Sequence, residues 1–515
     1  MIRLKNKNAL ALKLRNPAMV TSCIPTARVI NVRGTDITVV PHRVEEVRVL
    51  ANIGIKAPSP ILYNYNWPGR YTPYDHQKKT SAFLTMFRKA IVLNQIGTGK
   101  TNSALWAADF LMREGIIKKV LIISPLSTLE RVWGDTIFKD FHHRRFKILH
   151  GAAAKRKKLA NEKADFYVVN HDGFSIVAEE LLGKVDLIIV DEATEYRNPQ
   201  TARFKFFKKW LDRNPQAFLW LMTGTPTPNE PTDAWALAKL IDSPHLTKTY
   251  TGFKDLVMKK LGMWKWIPRV ESPEIVKHVL QPSVCFSRED CLDLPDTIVQ
   301  QRQVELSKEQ RTLYDTMMKK FVSDAASGTI TAVNEAVKIQ KLIQIVCGVA
   351  YGDGGKRIEI DCAPRIALVN ELIEQAGEKV IIFVPLTGVL NMLVDKLGKN
   401  WTVAYVDGSV SANKRNKIFQ DFQEEKDPHV LIAHPGTMAH GLTLTSASSI
   451  IWYGPINSND DYVQANGRVE RIGKRTVSNV IQIVSTPLED RIYKRLEGKQ
   501  KLQGLLLDLI QQETR

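Results

Sequence analysis

A short segment near residue 100 has the residue types and spacing of a phosphate-binding loop. The apolar run Ala90–Leu93 predicts a strand, and the sequence after the loop predicts a helix, so a glycine-bearing turn joins the two. Gly97 and Gly99 allow the backbone N–H groups to turn inward around an anion, and the positive end of the following helix favours negative charge. Gln95–Thr101 is therefore a candidate nucleotide site, although Asn94 stands where the usual pattern has glycine.

Four polar side chains could act on the nucleotide. Lys100 would reach the β- and γ-phosphates, and the Thr101 hydroxyl would hold Mg²⁺. Asp191 and Glu192 directly follow the buried-strand pattern Val185–Val190. In a doubly wound sheet such a pair lies at the ligand crevice, where Asp191 can reach the Mg²⁺ and Glu192 can deprotonate the attacking water. A solvated turn is the alternative, and the preceding Ile-Ile-Val run disfavours it.

The elements that must position these residues alternate between strands and helices. Alternation of this kind predicts an α/β fold with two tandem doubly wound parallel sheets and helical insertions. Residues 301–350 are predicted to be helical, with Ser307 and Gln310 forming a capping box. The predicted strands are 90–93, 119–126, 165–171, 185–190 and 217–222 in the first half, and 379–384, 401–406, 429–433, 449–453 and 480–484 in the second.

The first 70 residues are strongly basic, with eleven Lys and Arg against three Asp and Glu, a net charge of +8. A hairpin is predicted around Gly34, and a short helix at 44–53. We expect a small basic α+β accessory module here. A transit peptide is the alternative, which the low serine content and the early strand patterns disfavour.

Composition and charge bound the function. The chain has 515 residues, 44% of them hydrophobic and 24% charged, which indicates globular domains. The net charge of +18 favours a polyanion, and for a nucleotide-binding chain this means nucleic acid. No signal peptide or membrane span is predicted, because Pro385 and Gly388 interrupt the longest apolar stretch. Five scattered cysteines predict no zinc site, and a cytoplasmic location on nucleoid or viral DNA is expected.

Motifs in the first half resemble those of a known enzyme class. Three segments resemble, in this order, motifs I, II and III of superfamily-2 helicase-like ATPases: Gly97–Thr101, Asp191–Thr194 and Thr223–Pro226. Longer runs resemble the Swi/Snf-type branch of that class: 124–126, 191–198, and 223–229 followed by Trp235. The resemblance implies two RecA-like lobes and an enzyme that translocates on duplex nucleic acid without separating its strands. It also implies that Gln77 reads adenine.

Motifs in the second half extend the resemblance. Gly441–Leu444 resembles motif V, and Gln464–Gly473 resembles motif VI, Q-x-x-G-R-x-x-R. Arg468 and Arg471 are three apart and share one face of a helix, so the resemblance implies arginine fingers aimed at the γ-phosphate. An ordinary basic helix face is the alternative. The expected catalytic residues are Lys100, Asp191, Glu192, Gln464, Arg468 and Arg471. The expected nucleotide-binding residues are Gln77, Gln95, Ile96, Gly97, Thr98, Gly99, Lys100, Thr101 and Gly441.

Candidate nucleic-acid contacts lie in two basic segments and at Ser124 and Pro125. Lys259–Arg269 interleaves aromatic and basic residues, and its tryptophans could stack on bases or wedge into a duplex; local packing is the alternative. Lys155–Lys158 is a charge run that is either solvated or in contact with phosphates. The expected contacts are Ser124, Pro125, Lys155, Arg156, Lys157, Trp264 and Trp266.

The sequence therefore predicts an ATP-driven, nucleic-acid-dependent motor that uses ATP and Mg²⁺ and acts as a monomer on double-stranded or branched DNA. The alternatives are an annealing or branch-remodelling enzyme, a strand-separating DNA or RNA helicase, and a non-catalytic DNA-binding scaffold. Its compact size indicates a prokaryotic or viral source. The predicted domains are an N-terminal module (1–70), a first lobe (71–295), a helical linker (296–363), a second lobe (364–498) and a helical tail (499–515).

Overall fold

The strands and helices belong to two units, residues 1–291 and 292–515. They are seen in a computed structural model, which describes residues 2–4, 8–95, 97–227, 230–261, 266–287, 291, 297–326, 332–351, 357–438, 444, 446–467 and 478–498. Within these residues, no helix has the length and apolar character needed to cross a membrane.

A small antiparallel sheet begins the first unit. Its elements are β1 (Ile2–Leu4), β2 (Ala9–Leu12), α1 (Pro17–Cys23), β3 (Arg28–Val32), β4 (Thr35–Pro41) and α2 (Val44–Asn52). The strand order is β1-β2-β4-β3. β3 and β4 pair around Gly34, so the predicted hairpin and the helix after it are confirmed. Alternate side chains of the sheet, such as Leu10 and Val40, pack against the two helices and form a separate core.

The rest of the first unit is built around a seven-stranded parallel sheet. Its strand order is β13-β5-β10-β9-β6-β8-β7. The helices are α3 (Ile61–Asn64), α4 (Asp75–Met86), α5 (Lys100–Arg113), α6 (Asp135–Asp140), α7 (Ala153–Asn161), α8 (Phe174–Leu181), α9 (Ala202–Asp212), α10 (Ala234–Leu240), α11 (Tyr250–Val257) and α12 (Ser272–Val279). The strands are β5 (Lys89–Val92), β6 (Val120–Ser124), β7 (Phe146–Ile148), β8 (Phe166–Asn170), β9 (Leu187–Asp191), β10 (Phe218–Met222) and β13 (Ser283–Val284), with an antiparallel pair β11 (Met258–Lys260) and β12 (Trp266–Pro268) outside the sheet.

Helices cover both faces of this sheet. Leu187 and Ile189 of β9 face a core that includes α5, while Ile188 and Val190 face a second core that includes α8 and α9. Every residue of β6, β8, β9 and β10 is buried, as expected for parallel strands covered on both sides. The five strands predicted for the first half are present, and the two short strands β7 and β13 were missed.

The basic N-terminal module is anchored to this lobe. Arg48 of α2 donates two hydrogen bonds to the Thr85 carbonyl near the end of α4, at 3.1 and 2.6 Å. The Ser59 and Thr85 hydroxyls are 2.7 Å apart. Ile61 and Tyr65, which follow the module in sequence, lie in the core on the α5 side of the large sheet. The N-terminal module thus contacts α4 near its C-terminal end and helps to fix its position.

The second unit contains a six-stranded parallel sheet in the order β14-β21-β20-β17-β19-β18. The strands are β14 (Thr297–Gln303), β17 (Lys379–Phe383), β18 (Val403–Val406), β19 (Val430–Ala433), β20 (Ala447–Trp452) and β21 (Ser478–Val484), with an antiparallel pair β15 (Val349–Tyr351) and β16 (Arg357–Glu359) apart from it. The helices are α13 (Lys308–Ala326), α14 (Ala332–Val346), α15 (Ala363–Ala376), α16 (Thr387–Leu397), α17 (Ala412–Glu424), α18 (Asn459–Asn466) and α19 (Pro487–Glu497).

The two parallel sheets confirm the predicted α/β class with tandem RecA-like lobes. The helical prediction for 301–350 is wrong at its end, where residues 349–350 belong to β15, and at its start, where residues 301–303 belong to β14. That strand lies at the sheet edge and is rich in glutamine, so it lacks the apolar run of a buried strand. The capping box is confirmed, because Ser307 N donates to Gln310 Oε1 at 3.2 Å and Gln310 N donates to Ser307 Oγ at 3.1 Å.

Candidate functional site

Three neighbouring strands of the first lobe end side by side. Met222 of β10 pairs with Val92 of β5 on one side and with Asp191 of β9 on the other. Thr223 N donates to the Val92 carbonyl at 3.0 Å, which extends this register by one residue. Neighbouring strands are about 4.8 Å apart, so the loop after β5 begins roughly 10 Å from Asp191. The structure thus brings the predicted phosphate loop, Thr223 and the acidic pair to one edge of the sheet.

The predicted phosphate loop connects β5 to α5, and its glycines have the backbone that the sequence led us to expect. Gly97 and Gly99 have φ values of +86° and +79°, in the left-handed region that favours glycine. A Cβ atom at residue 99 would lie 2.1 Å from Gln77 Nε2, so a larger residue there would have to displace the end of the Gln77 side chain from the loop. The helix begins at Lys100. Ile96, predicted to bind nucleotide, lies outside the described residues.

Asn94, at the position where the usual pattern has glycine, has a fully buried side chain. Its Nδ2 donates to Thr80 Oγ1 on α4 at 2.8 Å, and its Oδ1 accepts from Phe286 N at 3.1 Å. The asparagine therefore ties the start of the loop to a helix on one side and to the segment after β13 on the other. Glycine could make neither bond.

Two side chains of α4 hold one carbonyl of the loop. Gln77 Nε2 lies 3.1 Å and His76 Nε2 lies 2.9 Å from the Thr98 carbonyl oxygen. Gln77 Oε1 accepts from Tyr74 N at 3.0 Å and so caps the helix. Gln77 is buried against the phosphate loop, and its reading of adenine stays a prediction. Sequence reasoning did not predict the contact of His76.

The Lys100 ammonium lies against the start of the loop. Its Nζ donates to the carbonyls of Asn94 at 2.8 Å and Gln95 at 3.2 Å. Thr98 is fully buried, and its hydroxyl donates to the Gln95 carbonyl at 2.8 Å. Thr101 is half-buried in the first turn of α5. The cation and the hydroxyl therefore lie at the N-terminal end of the helix, where an anion is favoured.

The acidic pair lies where β9 ends. Asp191 is 9% exposed; its Oδ2 accepts from Trp133 Nε1 at 3.0 Å, and its Oδ1 accepts from Glu192 N at 3.2 Å. Glu192 has φ +50°, and a 3₁₀ turn at Ala193–Tyr196 follows. A left-handed glutamate costs on the order of 1–3 kcal/mol, and such residues cluster at functional sites. Sequence reasoning missed Trp133.

A buried carboxylate holds α5 in place. Asp109 accepts hydrogen bonds from Tyr65 Oη at 2.7 Å, His143 Nε2 at 2.8 Å and Arg144 Nε at 2.7 Å, and Arg113 Nε lies 2.9 Å away. Burial alone would raise the pKa of Asp109, but the hydrogen bonds from Tyr65, His143 and Arg144 outweigh it, so this pKa lies below its usual value. The helix that begins at the phosphate loop is therefore pinned by an ionised side chain.

The predicted nucleic-acid contacts of the first lobe differ in exposure. Ser124 and Pro125 are buried, and Ser124 Oγ has no hydrogen-bond partner among the described residues. Lys155 is exposed, whereas Arg156 donates to the Gly151 carbonyl at 2.7 Å and to Asn170 Oδ1 at 3.1 Å. Lys157 pairs with Glu180 at 3.2 Å. Asn170 ends β8, so this basic turn lies at the same sheet edge as the phosphate loop.

Of the two tryptophans in 259–269, the structure describes only Trp266. Trp266 is half-buried against the core under α8 and α9, and Lys254 Nζ lies 4.3 Å from its ring centre. This is the local packing that the sequence left open as an alternative. Trp264 lies outside the described residues.

In the second unit, Gln464 lies on α18 and is half-buried, and its Oε1 has no hydrogen-bond partner in the part of the chain that the structure describes. The end of α18 is fixed to β20, because Trp452 Nε1 donates to Asn466 Oδ1 at 2.9 Å. Gly441, Arg468 and Arg471 lie outside the described residues.

Comparisons with known proteins match both units. The family described as SNF2-related domain matches residues 62–347, and the one described as Helicase conserved C-terminal domain matches residues 364–473. The first match contains the predicted nucleotide loop and acidic pair. The second contains all four predicted site residues of the second half.

Relatives and solved structures are similar over most of the chain. Protein p41 of Acyrthosiphon pisum secondary endosymbiont phage 1 is 26% identical over 86% of this chain and 99% of its own length. An uncharacterized ATP-dependent helicase of Mycoplasma genitalium, MG018, is 24% identical over 80% of this chain and 40% of its own length. This chain thus spans almost all of the phage protein but less than half of the mycoplasma helicase. The Sulfolobus solfataricus SWI2/SNF2 ATPase core in complex with dsDNA has a TM-score of 0.40 and 23% identity, covering 84% of this chain and 92% of that one.

Proposed function

This chain belongs to the SNF2-related family, and from that premise we propose that it is an ATP-driven motor that moves along double-stranded DNA. The predicted family and enzyme class are confirmed: the chain is a helicase-like, nucleic-acid-dependent ATPase. The observation that carries the assignment of its ATP site is the register of Val92, Met222 and Asp191, which aligns the ends of three adjacent strands.

The residues around this register support a division of roles in ATP hydrolysis. The N-terminal end of α5 and the Lys100 ammonium would bind the phosphates, since both favour negative charge at the loop. Glu192 would orient and deprotonate the attacking water. Its left-handed backbone supports this role, because a strained glutamate persists where the surroundings over-determine it.

The donor set fits a magnesium ion. The Asp191 carboxylate and the Thr101 hydroxyl are hard oxygen ligands, and Mg²⁺ usually takes one or two protein ligands together with substrate phosphates and water. Asp191 ends β9, which is two positions from β5 in the sheet, a spacing that an ion between carboxylate and phosphate can bridge. When bound, Mg²⁺ would neutralise charge on the β- and γ-phosphates.

The second lobe would complete the transition state. We propose that Arg468 and Arg471 act as arginine fingers and that Gln464 belongs to the same motif, as the resemblance of Gln464–Gly473 to motif VI implies. Guanidinium groups that meet the γ-phosphate only in the transition state lower the barrier without tightening ATP binding. Gly441 would contact the nucleotide as part of motif V.

The preference for duplex DNA rests on the Swi/Snf-type residues of motifs II and III. Basic charge alone attracts any polyanion and cannot distinguish duplex DNA. Lys155 is exposed, and Arg156 is bonded to Asn170 at the sheet edge that also carries the phosphate loop. These positions support binding of the DNA backbone along that edge. The proposal further includes action as a monomer on bacterial or phage DNA in the cytoplasm, and the phage relative fits only the bacterial or phage setting.

Two assays test the track. ATP hydrolysis is measured with single-stranded, duplex, forked and branched DNA and with RNA, and displacement of a triplex-forming strand is measured on a duplex. We expect duplex or forked DNA to stimulate hydrolysis and the third strand to be displaced, with Lys100→Ala as the inactive control. Robust unwinding from a single-stranded tail, lost in Trp266→Ala, would make the protein a strand-separating helicase. Preferential turnover on branched DNA would favour a remodelling enzyme, and DNA binding without any hydrolysis would favour a scaffold.

A further inference from the structure

We propose that Trp133 is a positioning residue, whose indole N–H holds the Asp191 carboxylate in the orientation that binds Mg²⁺. The inference rests on the proposed function, since it takes Asp191 as the metal ligand. Trp133 Nε1 lies 3.0 Å from Asp191 Oδ2, and the two side chains are 0% and 9% exposed. In such a site the bond competes little with water and fixes one carboxylate oxygen.

The backbone around Trp133 is built for this contact. Strand β6 ends at Ser124 beside the end of β9, because Ile123 pairs with Val190. The chain then turns through Leu129–Gly134, a six-residue π-helix. Helices of this type are rare and are found frequently at functional sites. The wide turn places Trp133 in the core on the α5 side of the sheet, with its donor at the acidic pair.

The partner distinguishes this tryptophan from others in the same lobe. Trp106, Trp210 and Trp220 are also buried, and each donates its indole N–H to a main-chain carbonyl at 2.8–3.1 Å. Those bonds satisfy a buried donor and stabilise packing. The bond from Trp133 instead orients an ionisable side chain. Outer partners that orient a metal-binding carboxylate typically change metal affinity or activity by ten- to a hundredfold when they are removed.

The test is the Mg²⁺ dependence of nucleotide binding by the full chain carrying Trp133→Phe, which removes the N–H and keeps an aromatic ring. Binding of a fluorescent N-methylanthraniloyl ATP is measured in EDTA and then across a Mg²⁺ titration. We expect unchanged affinity in EDTA and a half-effective Mg²⁺ concentration raised on the order of ten- to a hundredfold. The matched control is Trp210→Phe, which removes a 2.8 Å indole bond to the Ala178 carbonyl from an equally buried site.

Each outcome of these titrations either supports or overturns the inference. An unchanged Mg²⁺ titration in Trp133→Phe overturns the inference, and so does an equal shift in Trp210→Phe, which would indicate general loosening of the lobe. A wild-type chain that binds the nucleotide identically with and without Mg²⁺ contradicts the proposed metal site itself. If circular dichroism shows that Trp133→Phe does not fold, residue 133 is replaced by 3-benzothienylalanine, which keeps the bicyclic shape but has sulfur in place of the N–H. The same two titration results then support or overturn the inference.

Discussion

Replacing Asn94 with glycine would restore the usual phosphate-loop pattern, yet we expect it to destabilise the first unit. The Asn94 side chain is fully buried and bridges Thr80 Oγ1 and Phe286 N at 2.8 and 3.1 Å. Removing it leaves the Phe286 N–H without its acceptor. Thr80 is affected less, because its hydroxyl still donates to the His76 carbonyl at 2.8 Å. The start of the loop would lose its side-chain bonds to Thr80 and Phe286, while the bonds from His76 and Gln77 to the Thr98 carbonyl would remain.

The size of the effect follows from these bonds. Each hydrogen bond contributes about 1 kcal/mol, and a buried donor left unpaired adds about 1 kcal/mol more. Asn94→Ala should therefore cost about 2–3 kcal/mol. Asn94→Gly adds the backbone entropy of glycine, about 0.5–1 kcal/mol, for a total of about 2.5–4 kcal/mol. Each kcal/mol lowers the Tm of a large domain by about 2–4 °C, so a shift of roughly 5–16 °C is expected for the glycine variant.

The assay is differential scanning calorimetry of the full chain, with hydrogen exchange of peptides from residues 75–113 to assign the transition. Asn161→Ala is the matched control, because Asn161 also donates one side-chain hydrogen bond and accepts another, but on an exposed turn of helix. It should change stability by less than about 0.5 kcal/mol. A glycine variant at position 94 that melts at or above the wild-type temperature would refute the reasoning.

Three further changes give sharp expectations. Glu192→Gln should lower ATP hydrolysis on the order of a hundredfold or more while ATP binding is retained, as measured by turnover and fluorescent-nucleotide titration. Asp109→Asn should cost about 1–3 kcal/mol at pH 7 in urea unfolding, because the fully buried carboxylate accepts from Tyr65, His143 and Arg144 and the amide nitrogen of asparagine cannot accept. Since the pKa of Asp109 is lowered by folding, its stabilisation is present above about pH 4 and is lost as the pH falls through the folded-state pKa, so the two proteins should converge in acid. Replacing Arg28 and Arg33, both exposed, with glutamine should weaken duplex binding and reduce its salt slope by up to about 2.

Controls separate these roles from general damage. Glu195→Gln alters a neighbouring exposed carboxylate that pairs with Arg203, and it should leave turnover near wild type. An equal loss in both glutamate variants would contradict the general-base role. For Asp109, a difference in the free energy of unfolding between variant and wild type that is the same at pH 7 and pH 3 would contradict an ionised carboxylate. The control for the arginine pair removes two exposed charges near the amino ends of β6 and β8: Lys118 and Lys163. Identical salt slopes for both pairs would contradict a role specific to the N-terminal module.

The buried parallel strands could be predicted because each is a continuous apolar run. In β9 all five residues are buried, and its Leu-Ile-Ile-Val run is visible in the sequence. The missed strands of the two parallel sheets lack that signal: β7 has three residues, β13 has two, and β14 is an edge strand rich in glutamine. Strand length and exposure thus decided which elements sequence reasoning could find.

The residues of the candidate site also fall into a group that could be predicted from the sequence and a group that could not. Residues of the loop and the acidic pair could be found because their chemistry requires a local spacing. The partners that orient them could not. Trp133 is 58 residues from Asp191, and His76 is 22 residues from Thr98. Their contacts depend on a π-helical turn and on how α4 packs against the loop, which leave no pattern in one sequence.

The bonds of the Lys100 ammonium have a consequence for the reaction cycle. Two carbonyl oxygens of its own loop, those of Asn94 and Gln95, already accept hydrogen bonds from Nζ. A phosphate that takes over this ammonium exchanges one set of partners for another, so the free energy of binding is a difference between two sets of bonds. We therefore expect ADP to be in continuous competition with the protein's own backbone for the lysine. Such competition helps an ATPase to release its product in every cycle, because the lysine regains its two carbonyl partners when the product leaves.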